Sequence, residues 1–286
     1  MNHPAICKNS VAVVTGAALG IGYAIAHKVA KEGMDVVLFD KNSVALKSAA
    51  SSIRRDAPDV NVLAIEGDVT SQADLHGLYE QACEFGRVSL LVNNAAIITG
   101  AGPWDGMSKW RTLMEVNFWS ALTLQQLFIE TMFSQEGNAA IVNVGSKEGI
   151  TTRPGNAAYS VSKAAIKVLT EQLAHELRER VGDRITAHLL IPGYTFTPMN
   201  FPDMTSSTHK PDAPWTADQV ADRLVAQMAK GEFYIFCEDN EASWELDQRR
   251  MQWAADDLIL KRPALSRWHE DYADQFSAYV ADIAPQ

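Results

Sequence analysis

The chain has 286 residues, of which 47% are hydrophobic and 21% are charged, so it can bury a substantial core and its composition does not favour disorder. Its formal net charge of −10 argues against nucleic acids and anionic membrane surfaces as partners, because binding to either requires clustered cations. Three widely spaced cysteines indicate neither a disulfide framework nor a zinc site, and we expect no bound metal. No basic segment followed by an apolar run opens the chain, and we expect a soluble, cytoplasmic protein.

Short apolar runs rich in Val, Ile and Leu alternate along the chain with longer segments of helical pattern. The runs predict strands that are covered on both faces, at Val11–Thr15, Asp35–Asp40, Asn61–Asp68, Ser89–Ala95, Ala139–Ser146, Ile185–Gly193 and Phe233–Cys237. The predicted helices between them include Ile21–Lys31, Val44–Arg55, Ala73–Phe85 and Ala157–Arg180. This alternation predicts a single-domain α/β fold with a doubly wound parallel sheet of about seven strands.

Two segments depart from this alternation. Residues 194–215, the substrate loop, contain four prolines and little periodicity, and a loop of that length in a compact domain is usually functional. Residues 241–286, the C-terminal extension, have a helical pattern that is broken at Pro263, and they carry three of the seven tryptophans. We expect residues 1–240 to form the catalytic domain and the extension to be a helical continuation of it.

The segment TGAALGIG joins the first predicted strand to the first predicted helix. Gly16, Gly20 and Gly22 lack a Cβ, so the backbone can approach a pyrophosphate at the positive end of the helix. Asp40 ends the second strand, where its carboxylate can accept hydrogen bonds from the adenosine ribose and would repel a 2′-phosphate. This pattern favours NAD over NADP, although Lys41 could weaken the repulsion and Asp40 could instead cap the next helix.

Polar residues also follow the third and fourth strands, and ligands bind at the carboxyl ends of strands in open α/β sheets. Asp68 could accept a hydrogen bond from the adenine amino group, or its turn could be only a solvent cap. We expect these turns and the glycine loop to supply further cofactor contacts, at Leu19, Ile21, Val69, Asn94 and Ala95.

The stretch AAYSVSKAAI places Tyr159 and Lys163 on one face of a helix, because residues four apart are neighbours there. A phenol with a pKa near its ordinary value of about 10 is a poor base at neutral pH, and a nearby ammonium lowers that pKa. Ser146, at the end of the fifth strand, can hold a substrate oxygen. The three residues together are the groups that oxidation of an alcohol needs.

With these motifs in this order, the chain from Val11 to about Cys237 resembles the classical short-chain dehydrogenase/reductase family, which has a Rossmann-type fold. The resemblance is carried by TGAALGIG, NNAA, Ser146 and YSVSK. It implies that Tyr159 is the acid/base, that Lys163 lowers its pKa and binds the nicotinamide ribose, and that Ser146 orients the substrate. It also implies that Asn117, in MEVNFWS, holds a water of the proton relay.

The same resemblance extends to PGYTFT, the segment after the sixth strand, where the family contacts the cofactor. It implies cofactor contacts at Pro192, Gly193, Thr195 and Thr197. One departure is Ala96, which stands where the family usually has glycine and adds a methyl group near the nicotinamide pocket.

The resemblance implies an NAD-dependent oxidoreductase that interconverts a secondary alcohol and its ketone, in a homo-oligomer that is a tetramer or a dimer. The substrate loop and its surroundings favour an apolar or aromatic alcohol, through Trp104, Tyr194, Phe201, Met204 and Trp215. No basic cluster in the sequence suits a phosphate or coenzyme A. The alternatives are a steroid or terpenoid alcohol dehydrogenase, a nucleotide-sugar epimerase or dehydratase, and a non-catalytic NAD-sensing protein.

The C-terminal extension resembles, more weakly, that of bacterial dehydrogenases which oxidise benzylic alcohols of aryl ethers. Its tryptophans could close a subunit interface or roof the active site, and the sequence favours the interface because tails more often serve assembly. We interpret His269 in this extension as structural.

Overall fold

The computed structural model describes residues 2–205 and 207–283, and a seven-stranded parallel sheet lies at its centre. The strands of this sheet are β1 Val11–Thr15, β2 Asp35–Asp40, β3 Val62–Glu66, β4 Val88–Asn93, β5 Ala139–Val144, β6 Ile185–Ile191 and β9 Tyr234–Phe236. Two short strands, β7 Thr195–Phe196 and β8 Trp215–Thr216, pair in parallel at the two ends of the substrate loop. In the large sheet the order is β3-β2-β1-β4-β5-β6-β9, which confirms the predicted doubly wound fold.

Helices cover both faces of the sheet. They are α1 Gly20–Lys31, α2 Ser43–Asp56, α3 Gln72–Phe85, α4 Met107–Met114, α5 Ser120–Ser134, α6 Ala157–Val181, α7 Ala217–Met228, α8 Trp244–Ile259 and α9 Ala273–Val280. The four helices predicted by range each begin and end within one residue of the prediction. No helix within residues 2–205 and 207–283 combines the length and the apolar character that crossing a membrane requires.

The side chains of the central strand β1 alternate between two hydrophobic cores. Ala12 and Val14 belong to the core beneath α1, α2 and α7, whereas Val11 and Val13 belong to the core beneath α3, α5 and α6. Burial of each such valine stabilises the fold by about 1.5–3 kcal/mol. The near-continuous apolar sequence of these strands therefore reflects a sheet that has no solvent-facing side.

Several predicted strands run one or two residues past the end of the observed strand. The extra residues include Asp68, Asn94, Ser146 and Gly193, which leave the ladder at the carboxyl edge of the sheet. These are the residues expected to bind ligands, so the chain stops pairing where the candidate site begins.

The C-terminal extension folds into α8, short turns and α9. Trp253 on α8 is buried, with its ring centre 5.3 Å from that of Phe276 on α9. Trp244 at the start of α8 lies 5.0 Å from the ring of Phe236 in β9, which joins the extension to the sheet. The helix ends at Ile259, four residues before Pro263, as the break in the pattern predicted.

Candidate active site

The glycine loop between β1 and α1 adopts the backbone conformation that its sequence predicted. Gly16 and Gly20 have φ values of +63° and +57°, in the left-handed region that favours glycine. A Cβ on Gly22 would lie 2.2 Å from the carbonyl oxygen of Gly16, so the start of α1 can pack on the loop only without a side chain there. The result is a helix N-terminus approached closely by backbone, which suits a pyrophosphate.

The turn after β4 is locked to this loop by hydrogen bonds. The hydroxyl of Thr15 accepts bonds from the backbone amides of Asn94 and Ala95, each at 3.0 Å. The Asn94 side chain donates to the carbonyl of Thr15 at 2.9 Å and to that of Gly16 at 3.2 Å. Sequence reasoning missed the role of Thr15, although its position at the end of β1 marked it as close to the loop.

Asp40 braces the glycine loop from the end of β2. Its carboxylate accepts a hydrogen bond from the backbone amide of Ala18 at 3.1 Å and another from that of Asn42 at 2.9 Å. The cap of α2 is Asn42, whose side chain accepts from the amide of Ala45, so the alternative that Asp40 caps this helix is wrong.

Asp68, beyond β3, is held by its own turn. Hydrogen bonds from the amide and the hydroxyl of Thr70, each at 2.9 Å, lower the pKa of this carboxyl, and the charge of Lys41 lowers it further. The positive charge of Lys41 therefore acts on Asp68 beside the adenosine end of the candidate cofactor site.

Tyr159 and Lys163 lie buried on the first turns of α6. The ammonium of Lys163 donates a hydrogen bond to the carbonyl of Val144, the last residue of β5, at 2.7 Å. Its nitrogen is 5.7 Å from the centre of the Tyr159 ring. Gly149 permits this proximity, because a Cβ on it would lie 2.6 Å from the backbone of Lys163. The small residues of AAYSVSKAAI thus let α6 approach the end of β5 closely.

Burial is the main influence on both ionisable groups. It raises the pKa of Tyr159 to about 12, while a hydrogen bond from Ser146 opposes this shift and the charge of Glu148 adds to it. Burial also lowers the pKa of Lys163 to about 8. Burial thus shifts both groups toward their neutral forms, although Lys163 remains mostly protonated at neutral pH. For the pKa of Tyr159 this direction is opposite to the lowering that the sequence predicted.

Asn117 lies on a single π-helical turn, Glu115–Trp119, between α4 and α5. Its side chain accepts from the amide of Ile97 at 2.8 Å and donates to the carbonyl of Ile97 at 3.0 Å. A second donated bond, at 3.1 Å, reaches the hydroxyl of Ser162 on α6. Turns of this kind occur frequently at functional sites, and this one ties α6 to the segment after β4.

A cavity of about 720 Å³ joins these features. Its wall contains nine of the predicted site residues, namely Ile21, Asn94, Ser146, Tyr159, Lys163, Pro192, Gly193, Thr195 and Thr197. The other predicted residues lie outside this wall, namely Gly16, Leu19, Gly20, Gly22, Asp40, Asp68, Val69, Ala95 and Asn117. The structure thus gathers the phenol, the amine and the serine beside the glycine loop, from segments far apart in the sequence.

Comparison with known proteins identifies the family. A family model described as short chain dehydrogenase matches residues 10–206, which is more than half of the chain. The chain belongs to the short-chain dehydrogenase family. This membership confirms the family predicted from the glycine loop and the YSVSK motif.

The chain is 32% identical over 229 residues to the CLA biosynthesis dehydrogenase/reductase of Lactiplantibacillus plantarum. The aligned region covers 76% of this chain and 79% of that protein. It is 33% identical over 194 residues to the NADP-dependent (R)-specific alcohol dehydrogenase of Lentilactobacillus kefiri, with 67% and 75% covered. A solved short chain dehydrogenase/reductase from Burkholderia phymatum, in complex with NAD, has a TM-score of 0.79 at 28% identity and covers 89% of this chain and 96% of its own.

The C-terminal extension of the dehydrogenase contributes to the wall of the same cavity. Arg250 on α8 and the neighbouring pair Arg267 and Trp268 line it together with Ser146 and Tyr159. The extension therefore reaches the candidate active site, which is the alternative that the sequence did not favour. His269 lies outside this wall, and its ring accepts a hydrogen bond from the amide of Asp271 within a short turn.

Lys147, next to Ser146, fastens the extension to the body of the dehydrogenase. Its ammonium lies 3.2 Å from the carboxylate of Asp239 and 2.5 Å from that of Asp247 on α8. Asp247 is buried, and burial raises its pKa. An ion pair next to Ser146, the residue expected to orient the substrate, thus fixes where α8 begins.

The substrate loop contributes less apolar surface than its sequence indicated. Tyr194 lines the cavity, together with Met199 and Asn200, but Phe201, Met204, Trp215 and Trp104 do not. The Phe201 ring instead packs against Phe196 at 4.8 Å. Trp215 packs on the core at α7, and Trp104 is 90% exposed.

Proposed function

We propose that this short-chain dehydrogenase interconverts an apolar or aromatic secondary alcohol and its ketone, with NAD as the hydride acceptor. The observation that supports this is the shared cavity wall, which holds Ser146, Tyr159 and Lys163 together with Ile21 at the start of α1. A hydroxyl, a buried phenol and a buried amine in one cavity are the groups that carbinol oxidation uses.

The residues at the adenosine end fit a dinucleotide. Gly20 and Gly22 pack so closely on neighbouring protein atoms that a Cβ would meet Thr197 at 3.2 Å or the Gly16 carbonyl oxygen at 2.2 Å. The loop is therefore bare backbone at the start of α1, and the Asp40 carboxylate lies against the amide of Ala18 in the same loop. A carboxylate in that place binds ribose hydroxyls and repels a 2′-phosphate, which favours NAD. The relative from Lentilactobacillus kefiri is NADP-dependent, so we rest this choice on Asp40 and not on relatives.

A bound oxidised nicotinamide would supply the hydride acceptor and would bring a positive charge to the cavity. Ser146 orients the substrate oxygen, and Tyr159 removes the alcohol proton through its phenolic oxygen. The ammonium of Lys163 favours the phenolate and binds the nicotinamide ribose. Asn117 keeps α6 in place through its hydrogen bond to Ser162 and belongs to the proton relay that leads from Lys163.

In the opposite direction, the protonated phenol of Tyr159 donates to the ketone oxygen. Its raised pKa suits this donor role at neutral pH. The cavity wall also has an apolar part that supports a hydrocarbon-rich substrate body. It is formed by Ile98, Tyr194, Met199 and Trp268, which are 40–43% exposed.

The decisive test replaces Tyr159 by Phe and follows NADH formation over a panel of aryl and alicyclic secondary alcohols. We expect kcat to fall by about 10²–10⁴ with NAD binding retained, because only the proton acceptor is removed. Tyr79→Phe is the matched control, since its hydroxyl bonds Thr131 outside the cavity and its loss should leave kcat unchanged. Activity that persists in Tyr159→Phe would contradict the assigned base. NAD binding without turnover of any alcohol by the parent protein would favour the sensing alternative.

We further propose a homo-oligomer, a tetramer or a dimer. Val161 and Val168, two turns apart on α6, are 48% and 54% exposed, so this face of the helix presents apolar surface. Light scattering of the parent and of Val168→Lys would test it. A monomeric parent protein would contradict the proposal.

A further inference from the structure

The C-terminal extension brings two guanidinium groups, those of Arg250 and Arg267, into the wall of the catalytic cavity. They are 17 positions apart in the sequence, and each is isolated there from other basic wall residues. The fold places both side chains in one cavity wall. Burial lowers the pKa of Arg267, and the charge of Arg250 lowers it further. The cavity therefore contains a basic pair that no local sequence pattern reveals.

Arg267 lacks a close acidic partner. Its guanidinium stacks near the rings of Trp268, at 4.7 Å, and Phe276, at 5.0 Å. Within residues 2–205 and 207–283 no carboxylate forms an ion pair with it, and Asp247 acts on it only as a more distant charge. A stacked guanidinium keeps its N–H edge available, and a pKa lowered to about 10 leaves it charged at neutral pH.

Only some of the hydrogen-bond donors of Arg250 have an acceptor. One of its terminal nitrogens lies 3.4 Å from the carboxylate of Asp247, whereas its Nε is buried without a hydrogen-bond partner among the described residues. Asp247 also carries the closer contact with Lys147, at 2.5 Å. This single carboxylate is thus shared, and among the described residues the Arg250 guanidinium, which lines the cavity, has no other hydrogen-bond acceptor.

The whole wall has a small excess of positive charge. Its charged side chains in the described part of the chain are the five cations and four carboxylates of Lys147, Arg153, Lys163, Arg250, Arg267, Glu148, Asp239, Glu241 and Asp247. Arg153 pairs with Glu148 at 3.5 Å, and Glu241 is exposed. A chain with a net charge of −10 therefore places one more cation than carboxylate around its candidate site.

The position of Arg267 is held firmly from behind. Ser266, immediately before it, is fully buried, and its amide and hydroxyl both donate to the carboxylate of Asp257. The indole of Trp253 donates to the Ser266 hydroxyl at 2.8 Å. Leu265 takes the left-handed conformation, with φ +56°, to make this turn. Such support is typical of a residue held in a productive position.

We propose that Arg250 and Arg267 bind a carboxylate of the substrate, at the end of the molecule remote from the reacting hydroxyl. A carboxylate is planar, matches the fork of a guanidinium in two parallel hydrogen bonds, and carries the single charge that the wall lacks. The substrate class is then a hydroxy- or oxo-carboxylate with an apolar body. This inference rests on the proposed alcohol chemistry of the same cavity.

The test compares aryl secondary alcohols that bear a carboxylate with their methyl esters, over several separations of hydroxyl and carboxylate. We expect the parent protein to prefer at least one acid over its ester by about tenfold or more in kcat/KM. Arg267→Gln should lower kcat/KM for that acid by about tenfold to a hundredfold and leave the ester unchanged. Arg249→Gln is the matched control, because Arg249 lies on the same helix but pairs with Asp282 outside the cavity.

Two further measurements keep the proposal falsifiable. Arg267→Lys retains the charge without the fork and should recover part of the acid preference, while calorimetry should show tighter binding of the acid than of the ester to the parent protein. If every ester is used as well as its acid, or if Arg267→Gln weakens both alike, the carboxylate site is wrong and the alcohol chemistry stands. If the parent protein turned over neither the acids nor the esters, the proposed function would be wrong instead.

Discussion

The ammonium nitrogen of Lys163 lies 5.7 Å from the centre of the Tyr159 ring and is hydrogen-bonded to the carbonyl of Val144. Burial shifts the pKa of the lysine down to about 8 and that of the phenol up to about 12. The fold therefore holds two groups whose charged forms would be more stable in water. Shifted pKa values of this kind are frequent at sites of proton transfer.

Replacement of Lys163 by Met should stabilise the protein while abolishing turnover. The methionine removes a desolvated cation and keeps an apolar stem of similar length, so we expect the free energy of unfolding to rise by about 1–3 kcal/mol. Lys167→Met is the control one turn along α6, where the lysine pairs with Glu171 near the surface and the change should be smaller. Urea unfolding and steady-state kinetics measure both effects, and a lower stability for Lys163→Met would contradict this prediction.

The stabilising effect of Lys163→Met should also depend on pH. The folded pKa of about 8 is below the ordinary value of 10.5, so the unfolded chain binds more protons between these values. The penalty from Lys163 is fully present below pH 8 and fades as the pH rises toward 10.5. Urea midpoints of parent and variant should therefore converge over that interval. A gap that is constant with pH would show that Lys163 is not desolvated.

The two directions of the reaction should respond differently to pH. Because the pKa of Tyr159 is raised, its phenol is protonated at neutral pH, as ketone reduction requires, and must lose that proton for alcohol oxidation. We expect kcat/KM for oxidation to rise between about pH 6 and pH 10, and that for reduction to stay level or fall. Glu148→Gln removes a charge that raises this pKa, so its oxidation profile should move to lower pH. A shift to higher pH would contradict the prediction.

Replacement of Asp40 by Asn should weaken the preference for NAD. The asparagine keeps the size of the side chain but loses the charge that would repel a 2′-phosphate, so kcat/KM with NADP should rise and that with NAD should fall by about tenfold. Asp68→Asn is the control, since a change at the adenine end should affect the two cofactors alike. A parent protein that prefers NADP would refute our interpretation of Asp40.

Two glycine-to-alanine substitutions should differ in their effects, one weakening NAD binding and the other raising stability. The new methyl of Gly22→Ala would meet the Gly16 carbonyl oxygen at 2.2 Å, so the loop must shift. We expect NAD binding to weaken at least about tenfold, because such a shift would lose at least one backbone hydrogen bond to the cofactor. Gly77→Ala adds a methyl on α3 whose nearest neighbour is 3.9 Å away, and it should raise stability by about 0.5–1 kcal/mol. Calorimetric titration and thermal unfolding separate the two. Unchanged NAD affinity in Gly22→Ala would argue that the loop does not bind the cofactor.

The fold and the chemical centre were predictable because their signals are local. A buried parallel strand needs a run of Val, Ile and Leu, and Tyr159 and Lys163 are one helical turn apart. The role of Thr15 could not be read in this way, because it depends on Asn94, 79 positions away in the sequence. The same holds for the extension, whose place at the active site depends on Lys147 meeting Asp239 and Asp247.

The apolar lining expected from the substrate loop failed for a related reason. Phe201 and Trp215 are large hydrophobic residues, and the sequence does not tell whether such a residue faces a ligand or another part of the protein. In the fold they pack on Phe196 and on the core at α7, and charged residues of the extension line the cavity instead. The hydrophobicity of these residues predicted that they would be buried, but not what they would pack against.

The catalytic groups and part of the substrate-facing wall lie in separate parts of the chain, and this bears on how new substrate specificities arise. The groups assigned to proton and hydride transfer all precede Thr197, whereas Arg250, Arg267 and Trp268 come after the short connection from Cys237 to Ser243. A genetic crossover within that connection would exchange the wall that meets the substrate and leave the reaction machinery intact. Gene duplication followed by drift in the last fifty or so residues is therefore a short evolutionary route to a dehydrogenase for a different alcohol.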